Sequence, residues 1–292
     1  MDPNYVFMTD SDSDLPFHLK EQYNIPVVYM PYALNGREYF DDLGQSLDYK
    51  SYYDLMRGGA APVTSALNEA AYMEYFEPIL KGGQDLLFVA FSSKLSSTLQ
   101  AVYATQKNLL RQYPDRKFIV VDTLRISGPM TLLVLKAHEM YRAGKPIEEV
   151  ADWLESNKLR AQAYFIVDDL KYLRRGGRIS ATAAAVGTVL DLKPIINEAA
   201  DGTLVAADKV RGRKKALTFI VDKMMESAPD PEESPVIVLN ADNPEDAQRT
   251  KALVEQRLPG ANVIIENVGP VIGAHAGPGT IAVCFIGTKP CT

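Results

Sequence analysis

The sequence predicts an α/β protein of two domains, an N-terminal parallel α/β/α sheet and a C-terminal mixed-sheet α/β domain. Three observations carry this. The first half alternates short β-rich apolar runs with helical patterns, as a parallel sheet with crossover helices does. In the second half the runs Pro194–Asn197 and Leu204–Lys209 flank Ala200-Asp201-Gly202, a hairpin signal that requires antiparallel pairing. The length of 292 residues suits two domains, with 47% hydrophobic and 23% charged residues to build and solvate the cores.

In chain order, strands are predicted at Val6–Thr9, Val27–Pro31, Leu86–Phe91 and Phe118–Asp122. Helices are predicted at Tyr49–Arg57, Glu69–Lys81, Ser96–Gln112, Met130–Arg142 (stopped by Gly144) and Ile147–Lys158 (after Pro146). Later strands are read at Tyr164–Val167, Pro194–Asn197, Leu204–Lys209, Val236–Leu239, Val263–Val268 and Ile281–Ile286. Lys214–Met225 and Pro244–Arg257 have helical spacing, and the acidic, proline-rich stretch Ala228–Pro235 reads as a surface loop. The domain boundary is set near Leu159–Gln162, giving domains 1–160 and 161–292.

Composition excludes several classes. A formal charge of −6 argues against a nucleic-acid protein. Two cysteines, Cys284 and Cys291, make neither a disulfide framework nor a metal-ligand spacing, which suits a reducing cytoplasm. Met1–Asp10 lacks a basic segment before an apolar core, so no signal peptide is expected. No apolar run reaches the roughly 18 residues of a membrane helix. There is no phosphate loop, no strand followed by G-x-G-x-x-G, no G-x-S-x-G elbow and no H-E-x-x-H pairing among His18, His138 and His275.

What the sequence does contain is a series of hydroxyl-rich turns after strands. Thr9-Asp10-Ser11-Asp12-Ser13-Asp14 reads as a capping cluster, with a Mg²⁺ site as the sharper alternative. Thr64-Ser65 precedes a helix and reads equally as a cap or as a ligand contact. Ser92-Ser93-Lys94-Leu95-Ser96-Ser97-Thr98 holds five hydroxyls, more than one cap requires, where a strand end and a helix N-terminus suit an anion. Gly269–Thr280 surrounds His275 with glycine and proline and reads as a tightly bent loop in contact with a ligand. Two basic stretches, Lys171–Arg178 and Lys209–Lys215, offer a docking surface for an anionic partner.

These segments resemble, in order, the DegV family, the fatty-acid-binding proteins that serve as acyl-carrying subunits of bacterial fatty acid kinase. The matching motifs are TDSDSDLP (Thr9–Pro16), VTS (Val63–Ser65), SSKLSST (Ser92–Thr98) and DDLKYLRRGGRIS (Asp168–Ser180). LKPI (Leu192–Ile195), DKVRGRKKA (Asp208–Ala216) and GPVIGAHAGPGT (Gly269–Thr280) continue the series. The resemblance implies a lipid held between the two domains, with its carboxylate hydrogen-bonded by Thr64 and Ser96, Ser65 and Ser97 beside them, and His275 close to the head group. It implies that Arg211, with its neighbour Arg213, docks a kinase subunit that carries ATP and Mg²⁺, so this chain has no cofactor, no metal and no catalytic residue of its own. Ser97 replaces a usual glycine, Ala66-Leu67-Asn68 replaces a usual Gln-Pro-Ser, and the Thr123–Met130 turn is bulkier than usual, so chain preference does not carry over. The rival readings are a lipid carrier or sensor without a kinase, touching membrane surfaces transiently, and a hydrolase built on Ser96 and His275.

Overall fold

The computed structural model describes residues 4–180 and 191–291. The first residues of the Met1–Asp10 segment, read above for a signal peptide, lie outside them. Chain order begins with β1 (Tyr5–Asp10), a 3-10 turn (Ser11–Ser13), α1 (Phe17–Tyr23), β2 (Val27–Val28), β3 (Pro31–Leu34), β4 (Arg37–Phe40) and α2 (Tyr49–Arg57). It continues through β5 (Val63–Thr64), α3 (Glu69–Lys81), β6 (Asp85–Ala90), α4 (Thr98–Gln112), β7 (Phe118–Asp122), α5 (Ser127–Arg142) and α6 (Ile147–Asn157). The first sheet has the order β2-β1-β6-β7 and every pair is parallel.

The second part holds β8 (Ala161–Ile166), α7 (Lys171–Arg175), β9 (Leu192–Glu198), β10 (Leu204–Arg211), α8 (Arg213–Glu226) and β11 (Val236–Asn240). It closes with α9 (Pro244–Arg257), β12 (Val263–Asn267), α10 (Pro270–Ala276) and β13 (Ile281–Ile286). Its sheet runs β10-β9-β8-β13-β11-β12, antiparallel except for the parallel pair β11–β12, and is therefore mixed. The β9–β10 turn is closed by Ala199 N–H to Thr203 O at 2.9 Å, with Gly202 at φ +88° where a side chain is unfavourable.

Five points of this reading need correction. The run Val27–Pro31 is not one strand: Val27–Val28 pairs with β1, while Pro31 opens a small antiparallel sheet of order β4-β3-β5. The fourth helix starts at Thr98, two residues later than read, and α5 starts at Ser127, three residues earlier than read. The helices α1 and α7 lie where no helix was read. The Gly269–Thr280 segment is largely helical, because Pro270 takes the first helical position and Gly273 lets the Tyr53 ring lie against the helix.

Period-two alternation explains how the large sheet serves two cores. Ala282, Cys284 and Ile286 of β13 join the core shared with the first sheet, whereas Ile281, Val283 and Phe285 join the cluster under α8 and α9. Both faces are covered, so β13 is apolar throughout. The shared core runs from Tyr5 to Ile286, and hydrogen bonds reinforce it. Tyr53 donates to the Val268 carbonyl and Tyr52 to the Pro270 carbonyl, each at 2.7 Å, binding α2 to the segment that opens α10. Replacing Tyr53, which is fully buried, by Phe leaves the Val268 carbonyl without that donor. The expected loss is about 1–3 kcal/mol, read as a lower midpoint in urea denaturation with unchanged slope.

Candidate functional site

The parallel strands deliver their carboxyl ends to one place. β1 ends in the TDSDSD run, whose side chains mostly serve the backbone: Asp10 accepts from Asp12 N–H and Phe91 N–H, each at 3.1 Å, and Ser11 accepts from Met30 N–H at 2.9 Å. This is the capping reading. Asp12 differs, because its Oδ1 is buried without a hydrogen-bond partner and the residue lines a cavity. Burial pushes the Asp12 carboxyl up to about 7, opposed by the nearby Arg178 charge.

β6 ends in the Ser92–Thr98 turn. Ser92 is fully buried and structural, donating to the Gly202 carbonyl at 3.0 Å. Ser96 accepts from Thr98 N–H at 3.2 Å, satisfying the first N–H of α4 while leaving its own proton to donate. Thr64 arrives from β5, and its Oγ1 lies 2.8 Å from Nε2 of His275 on α10.

Between these turns and the large sheet lies the cavity, with about 250 Å³ open to the centre of a water-sized sphere. Thr64, Ser65, Ser96, Ser97 and His275 all line it, so the five ligand-contact residues expected from the sequence are brought together. Around them the wall is apolar, with Phe91 and Leu95 from the first sheet's side and Phe165, Leu239 and Ala282 from the large sheet. Apolar walls with a few convergent polar groups are the form of a small-molecule site.

His275 is largely buried, and burial with the Arg178 and Arg175 charges pushes its imidazole down to about 4. It is neutral at pH 7. Its Nδ1 has no hydrogen-bond partner and faces Gly176, where even a Cβ would overlap the ring. A Ser-His-acid triad needs a carboxylate at that nitrogen; here a glycine stands there, and Nε2 meets Thr64 and not Ser96.

Arg178, read from the sequence only as one charge in a basic stretch, also lines the cavity. It donates through Nε to the Leu95 carbonyl at 3.0 Å and through Nη1 to the Gly176 carbonyl. Two of its five N–H donors are thus spent on backbone, and the others remain with its positive charge beside the cavity. The adjacent Gly176-Gly177 pair was the one sequence signal of a close backbone approach here.

The two docking arginines part company. Arg211 ends β10 and is exposed. Arg213, expected beside it on the docking face, turns inward: it pairs with Asp246 at 2.7 Å and Asp168 at 2.6 Å and donates to the Gly279 carbonyl at 2.5 Å. These bonds make it a strut between α8, α9 and the turn before β13.

The arrangement was compared with known proteins. A family model described as "Uncharacterised protein, DegV family" matches residues 5–288. The chain belongs to the DegV family. A DegV domain-containing protein of Clostridium perfringens is 36% identical over 283 residues, 97% of each chain. A Thermus thermophilus DegV family protein, whose structure is described as fatty acid binding, is 28% identical, with a TM-score of 0.84 over 97% of this chain and 99% of that one. DegV of Bacillus subtilis, described as a fatty acid binding protein, is 26% identical, with a TM-score of 0.81 over 98% of this chain and all of that one. The DegV resemblance and the two-sheet α/β fold read from the sequence both hold.

The contact between Gly176 and His275 generates a test. Gly176→Ala forces the imidazole away from Thr64, whereas Gly177→Ala, at φ +73° with open space around it, strains only the backbone. Gly176→Ala is expected to shift the His275 ring resonances in NMR spectra, and Gly177→Ala to leave them in place.

Proposed function

We propose that this protein binds a long-chain fatty acid with its carboxylate at Thr64 and Ser96 and presents it to a separate ATP-binding kinase subunit. The observation that carries the reading is the cavity itself, apolar along its walls and closed at one end by hydroxyls, a neutral imidazole and one partly engaged guanidinium. The fatty-acid-binding descriptions of the Thermus and Bacillus relatives support the same ligand class.

Magnitudes divide the labour. Burying an acyl tail of about 15 methylenes at about 0.8 kcal/mol each contributes on the order of 12 kcal/mol, from which association and ordering subtract several. The tail supplies affinity. Hydrogen bonds to the charged head, worth roughly 1.5–3 kcal/mol each, fix its register. Thr64 and Ser96 orient the carboxylate, and neutral His275 donates to it or to Thr64 without forming an ion pair. Arg178 compensates the negative charge from one side only. An oxygen left outside such a cradle is free to attack a γ-phosphate in line: a carboxylate O–P bond forms, the β,γ P–O bond breaks and ADP leaves, with ATP and Mg²⁺ held by the partner. No residue of this chain needs to act as acid or base, since the nucleophile is already ionised. Exposed Arg211 offers that partner a docking charge.

Solvent extraction of the purified protein followed by mass spectrometry is expected to yield about one fatty acid per chain, and a clean extract would overturn the ligand class. Thr64→Val with Ser96→Ala is expected to weaken fatty-acid binding about 100- to 10,000-fold, the loss of two hydrogen bonds to a charged group. Unchanged binding would remove the carboxylate from this end. With a cognate kinase subunit and ATP, Arg211→Glu is expected to abolish acyl-phosphate formation while leaving the fatty acid bound. Equal turnover by the variant would place docking elsewhere, and a wild-type protein that is never phosphorylated would leave a lipid carrier.

A further inference from the structure

Glu198 ends β9 and is 2% exposed, yet it lines the cavity. Its Oε1 accepts from Ile126 N–H at 2.9 Å, whereas Oε2 has no hydrogen-bond partner among the described residues. Arg125, fully buried beside it, comes only to 3.6 Å of Oε2. That guanidinium aims its donors at the carbonyls of Lys158, Glu198 and Ala199, each at 3.3 Å, and at Cys291 Sγ at 2.9 Å. Arg125 therefore balances charge without satisfying the oxygen. A buried acceptor left unpaired is costly.

The surroundings are of one kind. Ser127 lines the same stretch and gives its proton to Asp14, so it presents lone pairs to the cavity. The Cys284 thiol, against Gly128, is only a weak donor and a weak acceptor. The strong polar groups left open here, Glu198 Oε2 and the Ser127 lone pairs, ask for a donor. Methylenes, a double bond or a methyl branch supply none.

Strand register places this station along a tail. Thr280 bonds the carbonyls of Ala276 and Gly277 and so lies level with the end of the His275 helix. Thr280, Ala282 and Cys284 follow on one face, and Cys284 pairs with Ala163 of β8. The β8–β9 register, continued by one residue, sets Ala163 opposite Glu198. Four residues of strand at about 3.4 Å each separate the two levels by roughly 13 Å. That is on the order of ten carbon–carbon bonds of about 1.5 Å laid in zigzag, the middle of a long acyl chain.

We propose that Glu198, with Ser127, forms a second polar subsite and that the preferred ligand is a long-chain fatty acid bearing a hydroxyl near the middle of its chain. This rests on the fatty-acid reading above and adds a specificity to it. A hydroxyl both donates and accepts, so it satisfies the Glu198 carboxyl whether ionised or protonated, while in a wholly apolar channel the same hydroxyl would be rejected.

The test measures dissociation constants of delipidated wild-type protein for stearic acid and for monohydroxystearic acids with the hydroxyl moved stepwise along the chain. Affinity relative to stearic acid is expected to rise about tenfold or more at mid-chain positions and nowhere else. Glu198→Met is expected to erase that maximum while holding stearic acid within about threefold; a merely structural glutamate would shift both ligands together. The positional series uses wild-type protein alone, so it decides the matter even where the variant fails to fold. Stearic acid binding more tightly than every hydroxy acid would overturn the subsite and leave the fatty-acid reading standing. Binding of neither would overturn both.

Discussion

One buried carboxyl fixes the relation between the parts that frame the cavity. Asp14 closes the turn after β1 with φ +52° and accepts from Gly269 N–H at 2.9 Å and from the Ser127 hydroxyl. Gly269 opens the helix that carries His275, and Ser127 opens α5, which packs on β8 and β13. A side chain at residue 269 would come within 2.5 Å of the Asp14 oxygen, so glycine there is a condition of the contact. Burial pushes the Asp14 carboxyl up to about 7, and the two hydrogen bonds pull it back down. Lip, imidazole and mid-channel wall are thus held to a single side chain.

The end of the cavity built on that frame is polar but carries few charges. Burial pushes the His275 imidazole far below its usual range and the Asp12 carboxyl toward its protonated form, so the Arg178 guanidinium is left as the main charge among them. Strong ion pairing would hold a carboxylate firmly and shield its oxygens. On the fatty-acid reading proposed above, the Thr64 and Ser96 hydroxyls hold a carboxylate by direction more than by charge.

Much of this was legible in the sequence because it follows periodicity. The strands of both sheets, most of the longer helices and the β9–β10 hairpin come from apolar spacing and turn chemistry. The small sheet was not legible, since its strands are two to four residues long, too short to show alternation. The glycines around His275 suggested a bent loop, whereas Gly273 is inside a helix and its missing Cβ makes room for Tyr53. The five residues expected to touch a ligand were picked out through hydroxyl-rich turns and family motifs and all line the cavity, although Thr64 and His275 meet across 211 residues of chain. Arg178 and Glu198 were missed because a charged residue reads as solvated surface until tertiary packing buries it.

The outer strand of the large sheet has a further consequence. Among the described residues β10 pairs only with β9; it slips register between Ala206 and Asp208 and holds exposed Asp208, Lys209 and Arg211 along its length. A bulged edge studded with charge is a poor template for a strand from another chain. The strand is thereby guarded against edge-to-edge aggregation, and association along this margin is left to side-chain recognition.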